Sequence, residues 1–140
     1  MALHNDIGKA GEDAAVGLLK KGGYTIRERN WQLHHLEVDI IAENKQNIVF
    51  VEVKTRSSLF GDKQPEEYVD DVKKNNISRC ANSYVRMYHI EKDVRFDIVS
   101  VLLDSQTLKV MNIRHIVDAF DVPMRTVGKR LTMPKRRRTI

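Results

Sequence analysis

Leu36 to Ala42 and Ile48 to Thr55 are two runs rich in Val and Ile, separated by the polar stretch Glu43-Asn44-Lys45-Gln46-Asn47. This is the pattern of a β-hairpin, and it constrains the fold more than any other part of the chain. A loop centred between Lys45 and Gln46 sets Val38 against Val53, Ile40 against Val51, Ile41 against Phe50 and Ala42 against Val49. Every one of these pairs is apolar on both sides. A slip of one residue would set Val against Asp or Glu, so the pattern itself specifies the register. Because apolar residues occupy both faces near the loop, both faces are expected to be covered.

The same register sets Asp39 against Glu52 and Glu37 against Lys54. Side chains alternate along a strand, which predicts that these four share one face. Opposed Cβ atoms lie roughly 4.5–5.5 Å apart. Two carboxylates held that close beside apolar surface repel, and a hard divalent cation with oxygen ligands neutralises them. Lys54 reaches the same spot. Two acids, a lysine and a cation together suit phosphodiester hydrolysis, in which a phosphate is polarised and developing negative charge is offset. The plainer alternative is a cross-strand Glu37–Lys54 ion pair beside solvated acids.

Around the hairpin, residues 4 to 21 read as a helix, with Ile7, Gly11, Ala14, Ala15, Leu18 and Leu19 at helical spacing and Gly22-Gly23 as the stop. Tyr24 to Gln32 reads as a strand. Pro65 to about Tyr88 reads as a second helix, with Pro65 in a tolerated first-turn position. Val94 to Leu103 and Leu108 to Ile113 are further strands, and Ile116 to Phe120 is expected to form a short helix. The order α-β-β-β-α-β-β predicts an α/β domain with a mixed central sheet flanked by helices.

At 140 residues the chain fits one domain, taken as residues 1–124. Seven of its 24 bases fall between Arg125 and Ile140, leaving 17 bases against 19 acids elsewhere. The net charge of +5 therefore belongs to a basic tail, residues 125–140, which is expected to be disordered alone and reads equally as an arm that meets a polyanion such as nucleic acid or as a solvated end that keeps the protein soluble. Cys80 is the single cysteine, so no intrachain disulfide forms, which suits a cytoplasmic protein. No secretory signal and no membrane span are expected. The pair His34-His35 lies in a connection with no further ligand at metal spacing, and Trp31 and Phe60 are read as packing residues.

Longer words then carry a resemblance. Gly8-x-x-Gly11-Glu12, Gly23-Tyr24, Arg29-Asn30, Glu37-x-Asp39, Phe50-Val51-Glu52-Val53-Lys54-Thr55-Arg56 and Arg95-Phe96-Asp97 are similar to the YraN-like proteins. That bacterial family is related to Holliday-junction resolvases, and Asp39 with Glu52-Val53-Lys54 resembles the PD-(D/E)XK nuclease signature. The likeness covers about residues 4 to 103. It implies a restriction-endonuclease-like α-β-β-β-α-β core and an endonuclease using Mg2+ or Mn2+ on structured or branched DNA. It implies Asp39, Glu52 and the Val53 carbonyl as metal ligands, Lys54 as the residue that positions water or stabilises phosphate, and Glu12 as a further acid. A homodimer is in keeping with it. Candidate nucleic-acid contacts are Arg29, Arg56, Lys73, Arg136, Arg137 and Arg138. The competing reading is a non-catalytic nucleic-acid-binding or scaffold module that keeps the fold.

Overall fold

The computed structural model describes residues 4–58 and 69–122. Helix α1 (His4–Lys21) is followed by strands β1 (Thr25–Leu33), β2 (Leu36–Glu43) and β3 (Asn47–Ser57), helix α2 (Asp71–Met87), and strands β4 (Asp93–Leu103) and β5 (Val110–Ile116). The strands form one sheet in the order β1-β2-β3-β4-β5. Neighbours are antiparallel except β3 and β4, which are parallel and joined through α2. A parallel pair needs such a long crossover, and the mixed sheet with flanking helices is the α/β architecture expected.

Each helix covers one face. Ala15, Val16 and Leu19 of α1 pack on Ile40, Ala42, Val49, Val51, Val99, Val101 and Leu103. Ile77, Cys80, Ala81, Tyr84 and Val85 of α2 pack on Ile41, Ile48, Phe50, Phe96 and Ile98. The central strands are thus buried on both sides, which is why β2 and β3 read as nearly continuous apolar runs. The hairpin register is the one the apolar pairing predicts, with Ile40 opposite Val51, Ile41 opposite Phe50 and Ala42 opposite Val49. Its loop is tighter than five residues, because the Asn44 side chain accepts the N–H groups of Gln46 (3.0 Å) and Asn47 (2.8 Å). That local bonding is the reason Asn favours turns.

Some boundaries differ from expectation. Helix α2 as described starts at Asp71, after non-helical Val69 and Asp70, with Asp70 as its N-cap accepting the Lys73 N–H at 2.8 Å; Pro65 lies outside the described residues. An N-cap carboxylate satisfies an orphan donor and complements the helix dipole, which gives these acids a structural role. Strand β5 runs to Ile116, and Ile116 to Phe120 is not a helix. There the chain turns back, the Ala119 N–H bonds to the Phe96 carbonyl at 2.8 Å, and Phe120 stacks on Phe96 with ring centroids 5.6 Å apart. Burial of one aromatic ring outweighs a marginal one-turn helix. Trp31 is a packing residue as expected, lying edge-on to Tyr84, and Cys80 is buried. Phe60 and the basic tail lie outside the described residues. Among the described residues no helix is long and apolar enough to cross a membrane.

Candidate metal and phosphate site

The site begins where the hairpin ladder ends. Backbone pairing of β2 with β3 runs from Glu43–Ile48 to Ile40–Val51 and goes no further. Beyond it, Asp39 Oδ2 accepts the Val53 N–H at 2.8 Å. A carboxylate has taken the place of the next backbone carbonyl. On the other side of β2, Arg29 pairs with Ile40 and Trp31 with Val38, while Asn30 between them has φ of 52°. Asn is among the residues that tolerate this left-handed conformation. Strand alternation resets across this kink, since Ile40 packs in the α1 layer and Val38 in the α2 layer. The predicted pairs Val38–Val53, Asp39–Glu52 and Glu37–Lys54 are therefore not part of the register, while on the β1 side Glu37 pairs with Gln32. Simple alternation put Glu37, Asp39, Glu52 and Lys54 on one face; the kink at Asn30 and Asp39 is the physical reason it does not hold along the whole strand.

Asp39 and Glu52 nevertheless feel each other. Burial, followed by the charge of Glu52, pushes the Asp39 carboxyl up to about 7, against the pull of the Val53 N–H and of Lys73. Glu52 is only 6% exposed, and burial raises its carboxyl as well, opposed by Lys73 and Lys54. Glu52 Oε2 lies 3.6 Å from Lys73 Nζ, while Oε1 is buried with no hydrogen-bond partner among the described residues. A buried carboxylate oxygen left unbonded is costly and calls for an explanation, of which a bound ion is one. Lys54, half-buried, follows on the same strand, in register with Ser100 of β4.

Glu12 reaches this end of the sheet from α1. Gly11 allows the approach, because a Cβ there would fall 2.6 Å from Thr55 Cγ2. Without that side chain the helix lies directly on β3 beside the site. Glu12 Oε1 accepts from Arg29 Nη2 at 3.1 Å and from Asn30 Nδ2 at 2.9 Å, and its charge contributes to raising Asp39. Arg29 also donates to Asp13 Oδ1 at 2.6 Å, so this candidate phosphate contact is held as an internal tether between β1 and α1. Arg56 lies half-buried two residues past Lys54, and Arg136, Arg137 and Arg138 are outside the described residues.

The structure thus gathers Glu12, Asp39, Glu52 and Lys54 at one end of the sheet and adds two residues whose parts were not foreseen. Asn30 both shapes the kink and holds Glu12, a role signalled only by the Arg29-Asn30 word. Lys73, expected as a nucleic-acid contact, faces Glu52. Among the described residues no three His, Cys, Asp or Glu side chains group to hold an ion. A cation would rest on the two carboxylates Asp39 and Glu52 with the Val53 carbonyl. That donor set is all oxygen, and the unbonded Glu52 Oε1 fits a hard divalent ion.

A second acid cluster lies on the α1 side. Asp97, fully buried, accepts from Arg95 Nε (2.9 Å), Arg95 Nη2 (2.7 Å) and the Asp118 N–H (2.9 Å), and pairs with His115 Nε2 at 2.7 Å. Arg95 also bonds to the Tyr24 hydroxyl at 2.5 Å. These partners overcome burial and hold the Asp97 carboxyl below its ordinary range. The cluster ties β4, β5 and the turn after β5 to the segment following α1.

Residues 11–101 match the family described as "Uncharacterised protein family UPF0102". A UPF0102 protein of Bacteroides thetaiotaomicron is 46% identical over 125 residues, covering 89% of this chain and 99% of that one. One from Porphyromonas gingivalis is 43% identical over 138 residues, covering 99% of each. Among solved structures, an XisH family protein from Nostoc punctiforme aligns with a TM-score of 0.35 and 11% identity, over 74% of this chain and 98% of that one. On the extent of the family match and of the identities, this chain belongs to the UPF0102 family.

Proposed function

We propose that this protein is a divalent-metal-dependent endonuclease of the PD-(D/E)XK type that hydrolyses phosphodiesters in structured or branched DNA. The observation that carries the reading is the pair of neighbouring carboxylates, half-buried Asp39 and buried Glu52, with one Glu52 oxygen unbonded among the described residues and two lysines beside them. Asp39, Glu52 and the Val53 carbonyl would hold Mg2+ or Mn2+. Such an ion supplies polarisation of a phosphate and acidification of a water. Lys54 offsets negative charge building on the phosphate or orients the attacking water. Glu12, fixed by Arg29 and Asn30, adds negative potential on the α1 side and serves as the further acid.

The preference for branched DNA comes from the resemblance to resolvase-like proteins. A junction has two strands to cut, which calls for two sites and hence a homodimer, and a DNA substrate places the protein in the bacterial cytoplasm. The seven bases between Arg125 and Ile140 supply salt-sensitive affinity, since each phosphate contact contributes roughly −0.9 to the slope of log affinity against log salt on duplex DNA. The test is purified protein with Mg2+ or Mn2+ on junction, flap and linear DNAs, alongside Glu52→Gln. Cleavage by wild type that Glu52→Gln lacks supports the reading. Binding without cleavage under every condition would favour a non-catalytic nucleic-acid-binding module.

A further inference from the structure

Lys73 approaches the acid pair from the first turns of α2, on the opposite side from Glu12. Its side chain is 43% exposed, whereas that of Glu52 is 8% exposed. A hydrated ammonium on a flexible four-carbon stem therefore enters from solvent and stops against a buried carboxylate. The contact is loose at 3.6 Å, and it engages one Glu52 oxygen while the other stays unbonded. The positive field of Lys73 acts on both Asp39 and Glu52. A divalent ion seated on those two carboxylates would do the same work at shorter range and would repel an ammonium standing beside it. The long stem lets the head move outward, toward solvent, where its side chain is already partly exposed.

Resting on the cation seat proposed above, we infer that Lys73 is an exchangeable counter-charge. In the metal-free protein it neutralises the Asp39–Glu52 pair. When the ion binds, Lys73 leaves Glu52 and becomes a phosphate contact at the mouth of the site. It is a positioning residue for the ion and a binding residue for DNA, with no part in the bond-breaking step.

The experiment is calorimetric titration of Mn2+ into metal-free wild type, Lys73→Gln, Lys73→Arg and Glu52→Gln, followed by DNA binding with Ca2+ in place of Mn2+. Exchange predicts that Lys73→Gln binds Mn2+ about tenfold tighter than wild type, the order expected for removing one unit charge beside a divalent ion at a partly exposed site. Lys73→Arg restores wild-type affinity. Lys73→Gln also binds DNA several-fold more weakly than wild type with Ca2+ present and equally without it. Folding of each variant is checked by thermal melting, and exposure of Lys73 makes these changes tolerable. Equal or weaker Mn2+ binding by Lys73→Gln overturns the exchange and leaves the cation seat standing. No Mn2+ binding by wild type or by Lys73→Gln overturns the seat itself, and the exchange with it.

Discussion

Asp97 and the Asp39–Glu52 pair are carboxylates of one sheet, Asp97 and Glu52 buried and Asp39 half-buried, and they differ in almost every other respect. Asp97 is enclosed by donors from Arg95, His115 and the Asp118 backbone, and its proton affinity falls. Asp39 has the Val53 N–H and Glu52 has Lys73, and their proton affinities rise. The residue types are nearly the same, and Glu52 is almost as buried as Asp97. What separates them is the number of donors supplied by the fold. A carboxylate whose lone pairs are filled from within belongs to the scaffold; one left short has capacity for something from outside.

Substitution at the two places separates the roles most widely. Asp39→Asn, Glu52→Gln and Lys54→Ala are each expected to reduce DNA cleavage a hundredfold to a thousandfold or more, the scale seen when one group stabilising transition-state charge is removed. The metal-free forms of Asp39→Asn and Glu52→Gln should melt at unchanged or higher temperature, because repulsion is relieved. Equal cleavage by wild type and all three would move the chemistry elsewhere. Asp97→Asn should do the reverse. It strips the charge from a buried network and costs roughly 3–5 kcal/mol of stability, read by urea denaturation, with the cation affinity of the surviving folded protein intact.

Cation binding gives the next effect in size. Mn2+ or Mg2+ should stabilise the fold by about 2.7 kcal/mol at a hundredfold excess over the dissociation constant. Asp39→Asn loses most of that gain and His115→Ala keeps it. The same melting shift in wild type and Asp39→Asn would show that the ion binds somewhere else.

Dependence on pH is the smallest and sharpens the comparison furthest, since the two acids act with opposite sign. Asp39 releases its proton near 7 when folded and in the ordinary acid range near 4 when unfolded, so between these the folded state holds the extra proton. Stability of the metal-free protein must then fall as pH rises from about 4 to about 7. Asp97, held low, contributes stability above the ordinary range and loses it as pH falls through its own lower range. Denaturation at pH 5 and pH 7.5 should show the first slope in wild type and a flatter one in Asp39→Asn. Over the same interval a cation should release protons on binding to wild type, as metal competes with them for the carboxylates.

Much of this was legible in the residues. The hairpin register followed from apolar pairing alone, because a two-residue period leaves no tolerance for slippage between buried faces. The element order and the ends of α1 followed from helical spacing and the Gly22-Gly23 stop. What escaped depends on tertiary placement. The start of α2 at Asp71 was hidden because Pro65 and Asp70 are both plausible first-turn signals, and only the Asp70–Lys73 bond distinguishes them. The kink at Asn30 and Asp39 needs two strands to change face together, which a single-strand pattern does not encode. Lys73 beside Glu52 depends on how α2 docks, and Arg29 beside Glu12 and Asp13 on how α1 docks. Asp39, Glu52 and Lys54 as a set were visible because all three sit in one hairpin, close in sequence.

The bond from the Val53 amide to Asp39 makes the site observable without any substrate. An amide proton donated to a carboxylate resonates at a frequency set by that carboxylate's charge, so the Val53 signal in a nitrogen–proton correlation spectrum is a reporter on Asp39. Its frequency tracks protonation of the acid and shifts again when an ion draws on the same oxygen atoms. Because the donor is backbone, it survives every side-chain substitution considered above, and one labelled amide can follow acid, ion and lysine in the same sample.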